Sequence, residues 1–440
     1  MSFSSLGLSQ QLISTINELD YIEPTPIQSE AIPHILAGHD IMARAQTGTG
    51  KTAAFALPLL HLISKHQIKE HPIKQKQTQE QPTSDQLGIS NQLISDKPQT
   101  STLTTLVLTP TRELAQQVHG SFIKYGKHTE LSTALAYGGV SINPQINALK
   151  NGTNILVATP GRLLDLLYKK VINLSQVKHI VFDEADRMLD MGFIPDINRI
   201  LKALPLERQT LLFSATFDDA IFKLSKTLLS KPKLIEIDEK NTAAAQVEQM
   251  VYAVDEDRKR ELTSYLIGSK NWQQVLIFTR TKQGADALAK EMCKDGIKTQ
   301  TIHGDKSQGA RERALADFKD NKVRALVATD VAARGLDIEQ LKYVINYELP
   351  YIAEDYIHRI GRTGRAGNKG LAISLLSIGE EYLLEEVEAV LDTRLPQQWL
   401  PGYEPDLTKE APTSKKNSRT TQNKRRKDRA YGKNKKNRQR

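Results

Sequence analysis

Short runs of apolar, often β-branched residues recur along the chain, and more polar stretches separate them. Seven such runs read, in chain order, TLVLTP, NILVATP, HIVFDEAD, QTLLFSAT, QVLIFTR, VRALVATD and YVINYELP. Each has the length of one buried strand, and stretches of helical character such as ELAQQVHGSFIKYGK lie between them. Because strands that alternate with helices form parallel sheets covered on both faces, the pattern predicts an α/β fold.

Three segments depart from this alternation and suggest how the chain is divided. Residues 66–101 contain eight Gln, no aromatic residue and six strongly apolar residues, which predicts a flexible loop inserted in the first half. The stretch EIDEKNTAAAQ predicts a linker between two α/β halves, and the chain beyond Pro401 is polar and then basic. The predicted divisions are an N-terminal segment 1–29, a first domain 30–235, a linker 236–246, a second domain 247–400 and a disordered basic tail 401–440.

The net charge of +9 comes from the tail, because residues 415–440 hold 13 of the 60 Lys and Arg and a single acidic residue, Asp428. Positions 1–414 then carry 47 basic and 50 acidic residues, so the folded part is nearly neutral. The lone cysteine, Cys293, excludes an intramolecular disulfide and any zinc site built on two cysteines. With no secretory signal pattern and no apolar run long enough to span a bilayer, we expect a cytoplasmic protein.

The segment AQTGTGKT follows a short predicted strand and precedes a predicted helix, which is typical of a phosphate-binding loop. Glycines let backbone amides converge on phosphate oxygens, a lysine supplies a positive charge, and a threonine hydroxyl can complete a magnesium shell. Its residues are Ala45, Gln46, Thr47, Gly48, Thr49, Gly50, Lys51 and Thr52. The usual pattern has glycine where Ala45 stands, and a glycine-rich turn with an incidental lysine is the alternative.

A phosphate loop requires carboxylates nearby to hold the metal and direct the water. The apolar run HIVF predicts a strand, and Asp183-Glu184-Ala185-Asp186 follow at its end. Asp183 is predicted to hold Mg2+ through its water shell. Glu184 is predicted to orient or deprotonate the attacking water. A solvated helix start is the alternative for this tetrapeptide, and the phosphate loop in the same half makes the nucleotide site the favoured interpretation.

With these residues in hand, the chain resembles the DEAD-box RNA helicases of superfamily 2 from about Phe3 to about Leu395. The motifs occur in family order: YIEPTPIQ, AQTGTGKT, PTRELA, the Gly138-Gly139 pair, TPGR, DEAD, SAT, LIFTRT, TDVAARGLD and HRIGRTGR. FSSLGLSQQL and DEADRMLDMGF are most similar to the bacterial RhlE-type subgroup. The resemblance implies two tandem RecA-like domains, each a parallel sheet with helices on both faces, with ATP and Mg2+ as cofactors.

Three residues near the start are expected to contact the adenine base. The side-chain amide of Gln28 donates and accepts together, which suits the adenine edge and favours ATP over GTP. Tyr21 and Phe3 offer aromatic faces to the base, and ordinary core packing is the alternative for both.

The motif HRIGRTGR holds three arginines at a spacing of three, Arg359, Arg362 and Arg365, which on spacing alone also fits a solvated basic helix face. Its glycines favour a compact turn over a long helix. The resemblance makes Arg362 and Arg365 arginine fingers that reach the γ-phosphate only when the two domains close. Gly335 and Asp337 are expected to meet the nucleotide from the same side.

The resemblance also implies a track for the backbone of single-stranded RNA. Its predicted residues are Pro110, Thr111, Arg112, Gly138, Gly139, Thr159, Pro160, Gly161 and Arg162 in the first domain and Arg280, Gln308, Arg311 and Thr329 in the second. Contacts to phosphate and 2′-OH position a strand without reading its sequence. Ser214, Ala215 and Thr216 are expected to couple hydrolysis to unwinding, with a strand-end cap as the alternative.

These expectations combine into an ATP-dependent RNA helicase that locally unwinds short duplexes or remodels RNA–protein complexes, with ribosome assembly or RNA decay as the pathways that the subgroup suggests. The alternatives are an RNA clamp that serves as an assembly platform and, less in keeping with the motifs, a DNA translocase. The basic tail is predicted to be a nonspecific RNA anchor, with a solubility tail as the alternative and, in a eukaryote, a nuclear-localisation signal at KRRK.

Overall fold

The computed structural model describes residues 2–45, 48–70, 102–237, 247–333, 338, 341–364, 370–406 and 408–409. The chain forms two compact units, of which the first holds most of residues 1–237 and the second most of residues 238–440. Each unit is built on a sheet whose described strand pairs are all parallel. This confirms the predicted α/β class and the tandem arrangement of two sheets.

The sheet of the first unit has seven described strands in the order β3-β4-β2-β5-β6-β1-β7. They are β1 Ile41–Arg44, β2 Thr105–Leu108, β3 Thr133–Ala136, β4 Ile155–Ala158, β5 His179–Phe182, β6 Gln209–Ser214 and β7 Lys233–Glu236. Every residue of the central strands β2, β4, β5 and β6 is buried. Their continuous apolar runs are what a parallel sheet requires when helices cover both of its faces.

Helices of the first unit connect these strands and cover the sheet. They are α1 Gln10–Glu18, α2 Pro26–Leu36, α3 Lys51–Glu70, α4 Arg112–Tyr125, α5 Asn143–Lys150, α6 Pro160–Tyr168, α7 Ala185–Asp190, α8 Ile194–Leu201 and α9 Asp219–Leu228, with a 3-10 helix at Phe3–Leu6. Leu106, Leu156, Ile180 and Phe182 belong to one buried cluster on the sheet. Because each strand leads into a helix at the carboxyl edge of the sheet, the polar residues that follow the strands gather at that edge.

The second unit repeats the design with strand order β10-β11-β9-β12-β13-β8-β14. The strands are β8 Val247–Ala253, β9 Val275–Thr279, β10 Thr299–Ile302, β11 Ala325–Thr329, β12 Tyr343–Asn346, β13 Gly370–Leu376 and β14 Gln397–Gln398. The helices are α10 Lys259–Ser269, α11 Lys282–Lys294, α12 Gln308–Lys319, α13 Asp330–Ala333, α14 Ala353–Ile360 and α15 Glu381–Leu391, with a 3-10 helix at Glu256–Arg258. Strands β9 and β11 are buried throughout.

The structure differs from the predicted divisions at two places. Helix α3 continues to Glu70, so the predicted loop 66–101 is wrong over its first five residues, and 71–101 lie outside the described residues. The predicted disordered tail 401–440 is wrong at its start, because the Tyr403 ring lies 5.5 Å from the Tyr265 ring and Lys409 Nζ donates to Asp255 Oδ2 at 2.8 Å. The rest of the tail and residues 238–246 of the predicted linker lie outside the described residues.

Within the part of the chain that the structure describes, no helix has both the length and the apolar character that crossing a bilayer requires.

Candidate functional site

The phosphate loop has the strand–turn–helix geometry that its sequence predicts. Strand β1 ends at Arg44, and the next residue, Ala45, still donates its N–H to Ser214 O at 3.1 Å. Gly48 and Gly50 both have φ of 90°, a backbone conformation that side chains other than that of glycine rarely adopt. Helix α3 then begins at Lys51. Gln46 and Thr47, also predicted for this loop, lie outside the described residues.

Lys51, Asp183 and Glu184 are buried ionisable residues, with exposures of 7%, 2% and 8%. Among the described residues, Lys51 Nζ, Asp183 Oδ1 and Glu184 Oε2 have no hydrogen-bond partner. Burying charged groups without partners is costly, and folded proteins retain such groups where a ligand or metal completes them. The three predicted catalytic residues of the first unit are therefore in the state expected of a site that awaits a polar ligand.

The electrostatics of Asp183 reflect this burial. Removal from water raises the pKa of Asp183 from 3.8 to about 7; the charge of Lys51 opposes the rise and that of Glu184 adds to it. These effects place Lys51 and Glu184 close enough to Asp183 for their charges to act on its carboxylate. Strongly shifted pKa values of this kind occur mostly at functional sites.

Glu184 occupies an unusual backbone position at the start of α7. Its φ is 54°, in the left-handed region that residues with a side chain seldom enter. Its carbonyl accepts the N–H groups of Arg187 and Met188 at 3.0 and 3.1 Å, so Glu184 begins the helix rather than lying free in a loop. The predicted helix start is thus present, but its carboxylate is buried, which argues against the solvated alternative. Backbone strain of this kind is often found at active sites.

The oxygen donors at this site suit magnesium better than a metal ion whose ligands all come from the protein. Among the described residues, no group of three His, Cys, Asp or Glu is placed to hold a metal ion. Mg2+ commonly takes one or two carboxylates and completes its shell with water and substrate phosphates. The hydroxyl of Thr52, one residue into α3, and the carboxylate of Asp183 are oxygen donors of this kind.

Gln28, predicted to contact adenine, is joined to the phosphate loop. It is 3% exposed; its Oε1 accepts from Thr25 N at 3.0 Å, and its Nε2 donates to Gly50 O at 3.1 Å. A Cβ at Gly50 would lie 2.3 Å from Gln28 Nε2, so this approach requires glycine at position 50. Since an amide has two protons on nitrogen and two lone pairs on oxygen, each end of Gln28 has capacity left for a base edge.

The two predicted aromatic contacts differ in their surroundings. Tyr21 is half-buried, its hydroxyl lies 3.2 Å from the hydroxyl of Tyr125, and Lys124 Nζ lies 6.0 Å from its ring centroid. Phe3 is only 4% exposed and belongs to the core. The surroundings of Phe3 favour the core-packing alternative, whereas Tyr21 keeps part of its ring accessible.

Ser214 joins the end of β6 to the phosphate loop. It is fully buried, its carbonyl accepts from Ala45 N, and its hydroxyl accepts from Thr216 N at 3.3 Å. The strand-end cap that was the alternative for Ser214 to Thr216 is therefore present. The cap also places this segment directly against the nucleotide site, which is where a coupling segment is expected.

The predicted RNA residues of the first unit lie at the carboxyl edge of its sheet. Pro110 and Thr111 precede α4 and Arg112 begins it, Gly138 and Gly139 follow β3, and Thr159, Pro160, Gly161 and Arg162 lie at the start of α6. Arg162 is 8% exposed; its Nη1 donates to Gln145 Oε1 and its Nη2 to Val140 O, both at 2.9 Å. Gln145 was not among the predicted residues, and a polar residue at a buried helix position leaves no distinctive sequence signal.

In the second unit, the predicted RNA residue Arg280 is held by two carboxylates. Its Nε donates to Glu348 Oε1 at 3.1 Å, its Nη2 donates to Glu380, and its guanidinium lies 4.9 Å from the Tyr351 ring centroid. Lys259, fully buried, donates to Glu380 Oε2 at 2.7 Å. The sequence analysis missed Lys259 and Glu380, which are 121 residues apart and share no motif.

The other predicted RNA residues of the second unit begin or end regular elements. Gln308 and Arg311 lie in the first turn of α12, and Thr329 ends β11. Gln308 Nε2 donates to Glu312 Oε1 at 3.1 Å.

Two of the three arginines of HRIGRTGR, Arg359 and Arg362, are buried, which argues against a solvated helix face for them. Arg359 is 1% exposed and makes a bidentate pair with Asp330 at 2.6 and 2.8 Å. Arg362 lies in the turn after α14, where its carbonyl accepts from Leu341 N at 3.2 Å. Arg365, Gly335 and Asp337 lie outside the described residues, so their predicted roles stay predictions.

Comparisons with known proteins agree with this architecture. The DEAD/DEAH box helicase family matches residues 25–224, and the helicase conserved C-terminal domain matches residues 258–367. The DEAD-box ATP-dependent RNA helicase RhpA of Helicobacter pylori is 39% identical over 394 residues, which cover 90% of this chain and 73% of the relative. The DEAD-box ATP-dependent RNA helicase CshA of Bacillus cereus is 38% identical over 406 residues, covering 92% and 71%.

Solved structures show the same likeness in three dimensions. Dbp5 of S. cerevisiae bound to RNA and ADP BeF3 superimposes with a TM-score of 0.75 at 30% identity, covering 90% of this chain and 95% of Dbp5. Mss116p bound to single-stranded RNA and AMP-PNP gives a TM-score of 0.74 at 27% identity, covering 91% and 80%. With two relatives at 38% and 39% identity over most of both chains, the chain belongs to the DEAD-box ATP-dependent RNA helicase family.

Proposed function

We propose that this protein hydrolyses ATP when RNA draws its two units together, and that closure on one strand separates a short RNA duplex. The observation that carries the proposal is the buried set of Lys51, Asp183 and Glu184, whose unpartnered polar atoms lie beside a phosphate loop. Membership of the helicase family and the two RNA-bound structural neighbours support RNA as the activating ligand.

Each residue of the nucleotide site has a distinct proposed role. Lys51 and the backbone amides of the loop hold the phosphates, and Gln28 holds the adenine. Thr52 and Asp183 hold Mg2+, which neutralises charge that develops on the phosphates when it is bound. Glu184 orients the attacking water and accepts its proton.

Residues of the second unit complete the site in this proposal. Arg362 and Arg365 stabilise the negative charge of the transition state, and Gly335 and Asp337 contact the nucleotide. Since the two sets of residues belong to different units, hydrolysis depends on closure, and closure depends on RNA. A bent single strand is incompatible with a regular duplex, so closure opens base pairs without reading their sequence.

In this proposal the protein acts in ribosome assembly or RNA decay, the pathways that its resemblance to the RhlE-type subgroup suggests. We place the protein in the cytoplasm, where an RNA substrate and ATP are both available. The basic residues 415–440 add a nonspecific RNA anchor in this proposal.

A strand-displacement assay tests the proposed activity against the clamp alternative. A short labelled RNA duplex with a single-stranded overhang is mixed with protein and ATP, and the displaced strand is measured per ATP consumed. The proposed helicase releases strand after strand with ATP, and a non-hydrolysable analogue does not support these repeated cycles. Binding of RNA without displacement, at an ATP turnover that RNA stimulates, would identify a clamp instead. Repeating the assay with a DNA duplex of the same sequence separates an RNA helicase from a DNA translocase.

A further inference from the structure

Residues 137–140, here called the glycine loop, are anchored at both ends by hydrogen bonds to their backbone carbonyls. Gln145 Nε2 on α5 donates to Tyr137 O at 3.0 Å. Arg162 Nη2 on α6 donates to Val140 O at 2.9 Å. The two predicted RNA-binding glycines, Gly138 and Gly139, lie between these anchored carbonyls.

One side chain joins the two anchors. Gln145 Oε1 accepts from Arg162 Nη1 at 2.9 Å, while its Nε2 holds Tyr137 O. Gln145 is 8% exposed, and Arg162 is equally buried. The hydrogen bonds therefore run without interruption from Tyr137 through Gln145 and Arg162 to Val140. A third contact, from Gln116 Nε2 on α4 to the Tyr137 hydroxyl at 3.1 Å, joins the same loop to the helix that begins with Arg112.

The space around Gly138 is open, so a ligand can approach its backbone. A Cβ built at Gly138 meets no described atom within 4 Å, so packing inside the unit does not require glycine there. Gly139, with φ of 80°, needs glycine for its backbone conformation. A glycine that packing does not require commonly permits a ligand to approach the backbone closely.

We infer that Gln145 is a positioning residue for RNA binding. It touches no RNA in this account; it holds the glycine loop in one shape and orients the Arg162 guanidinium, so that two predicted RNA-binding segments act as one surface. Glycine-rich loops lose much conformational entropy on ordering, and a loop that is already ordered binds its ligand without that cost. The inference rests on the proposed function, because it requires RNA as the ligand of this surface.

The direct test replaces Gln145 by methionine, which keeps the side-chain volume and removes both hydrogen bonds. The readouts are the dissociation constant for single-stranded RNA with a non-hydrolysable ATP analogue, and the RNA concentration that gives half-maximal ATP hydrolysis. The inference predicts that Q145M raises both by about tenfold, which corresponds to about 1.4 kcal/mol. N147A is the matched control, since Asn147 is an exposed amide on the same helix, and we expect its values to equal those of the wild type.

A further readout separates positioning from a general loss of structure. Binding of a fluorescent nucleotide in the absence of RNA is expected to be unchanged in Q145M. An RNA affinity of Q145M equal to that of N147A, or equal losses of RNA and nucleotide binding, would overturn the inference.

A second variant covers the case in which Q145M does not fold. Q145E keeps the oxygen that accepts from Arg162 but cannot donate to Tyr137 O, and it too is expected to weaken RNA binding. A double-mutant cycle with R162M adds a test of linkage: because both side chains hold one loop, the double variant is expected to lose much less than the sum of the single losses. Additive losses would contradict a shared role. Failure of the proposed function would appear instead in the wild type, as ATP hydrolysis that RNA does not stimulate.

Discussion

Two sets of buried ionisable side chains, one in each unit, differ in whether they have partners. In the first unit, Lys51 Nζ and Asp183 Oδ1 lack a hydrogen-bond partner among the described residues. In the second, Lys259 pairs with Glu380 at 2.7 Å, and Arg359 makes a bidentate pair with Asp330. We interpret the paired charges as holding elements of the fold together and the unpaired ones as belonging to the proposed nucleotide site.

Arg280 shows what this difference means for a predicted RNA contact. Its guanidinium is shared by Glu348 and Glu380, and these carboxylates keep the pKa of Arg280 raised although burial acts to lower it. A phosphate that meets Arg280 competes with two carboxylates already in place. The comparison therefore assigns Arg280 a structural role in the second unit in addition to the RNA contact that its motif predicts.

The largest expected effect is on catalysis by Lys51, Asp183 and Glu184, here called the unpaired set. E184Q keeps the size of the side chain and removes the base, so we expect turnover of ATP to fall by about 10² to 10⁴. Binding of ATP analogue and RNA is expected to persist. Steady-state hydrolysis and fluorescence anisotropy measure the two quantities, with E207Q, an exposed glutamate of the same unit, as the control. Turnover of E184Q equal to that of E207Q would remove Glu184 from its proposed role.

The free energy of unfolding is expected to depend instead on the paired residues Lys259 and Glu380. K259M removes one of the cations that pair with the buried Glu380. Because this leaves a buried carboxylate less compensated, we expect the free energy of unfolding to fall by about 3–5 kcal/mol. Urea unfolding followed by tryptophan fluorescence reports this, because both tryptophans, Trp272 and Trp399, lie in the second unit. The exposed Lys290 supplies the control, K290M.

The matching change in the first unit sharpens the comparison. K51M removes a buried ammonium that has no hydrogen-bond partner among the described residues, so we expect stability to be unchanged or raised and nucleotide binding to be lost. Circular dichroism reports the unfolding of both units, and its comparison with tryptophan fluorescence, which reports the second, separates the two. If K51M destabilised its unit as much as K259M destabilises the other, the distinction between ligand-binding and fold-holding charges would be wrong.

Asp183 gives the unpaired set a pH dependence. Burial raises its pKa from 3.8 to about 7. Between about pH 4 and 7, the folded state without ligand therefore keeps a proton on Asp183 that the unfolded state has released. Stability is therefore lost as pH rises, by up to about 1.4 kcal/mol per pH unit relative to D183N. Urea unfolding of both proteins between about pH 4.5 and 8, with EDTA present, measures the difference. Parallel stability curves would show that Asp183 ionises normally.

The smallest expected effect concerns the basic residues 415–440. Deletion of residues 415–440 is expected to weaken RNA binding and to reduce its salt dependence, by ~0.7 in the log–log slope for each phosphate that the protein no longer neutralises. Titrations of single-stranded RNA between about 50 and 200 mM salt measure the slope. An unchanged slope would favour the solubility alternative for the tail.

Sequence reasoning reached most of the fold because the fold depends on local patterns. Apolar runs of strand length predicted the sheets, and the AQTGTGKT and DEAD segments predicted that Lys51, Asp183 and Glu184 follow strands of one sheet, which is where the structure has them. Neighbouring residues define these positions, so a short motif carries the information.

Contacts between distant segments could not be predicted in this way. Gln145 and Arg162 are 17 residues apart, and Lys259 and Glu380 are 121 apart; nothing in the local sequence of either pair indicates that they meet. The packing of Lys409 on Asp255 was missed for a related reason. Polar sequences fold when tertiary contacts support them, and composition alone does not reveal those contacts.

The most direct test of the account is steady-state ATP hydrolysis by the full-length protein without nucleic acid, with single-stranded RNA and with DNA of matched sequence. The account predicts slow hydrolysis alone, strong stimulation by RNA and weak stimulation by DNA, because the proposed mechanism makes hydrolysis depend on RNA. Equal rates under the three conditions would contradict RNA-driven closure and leave an ATPase with a different activating partner.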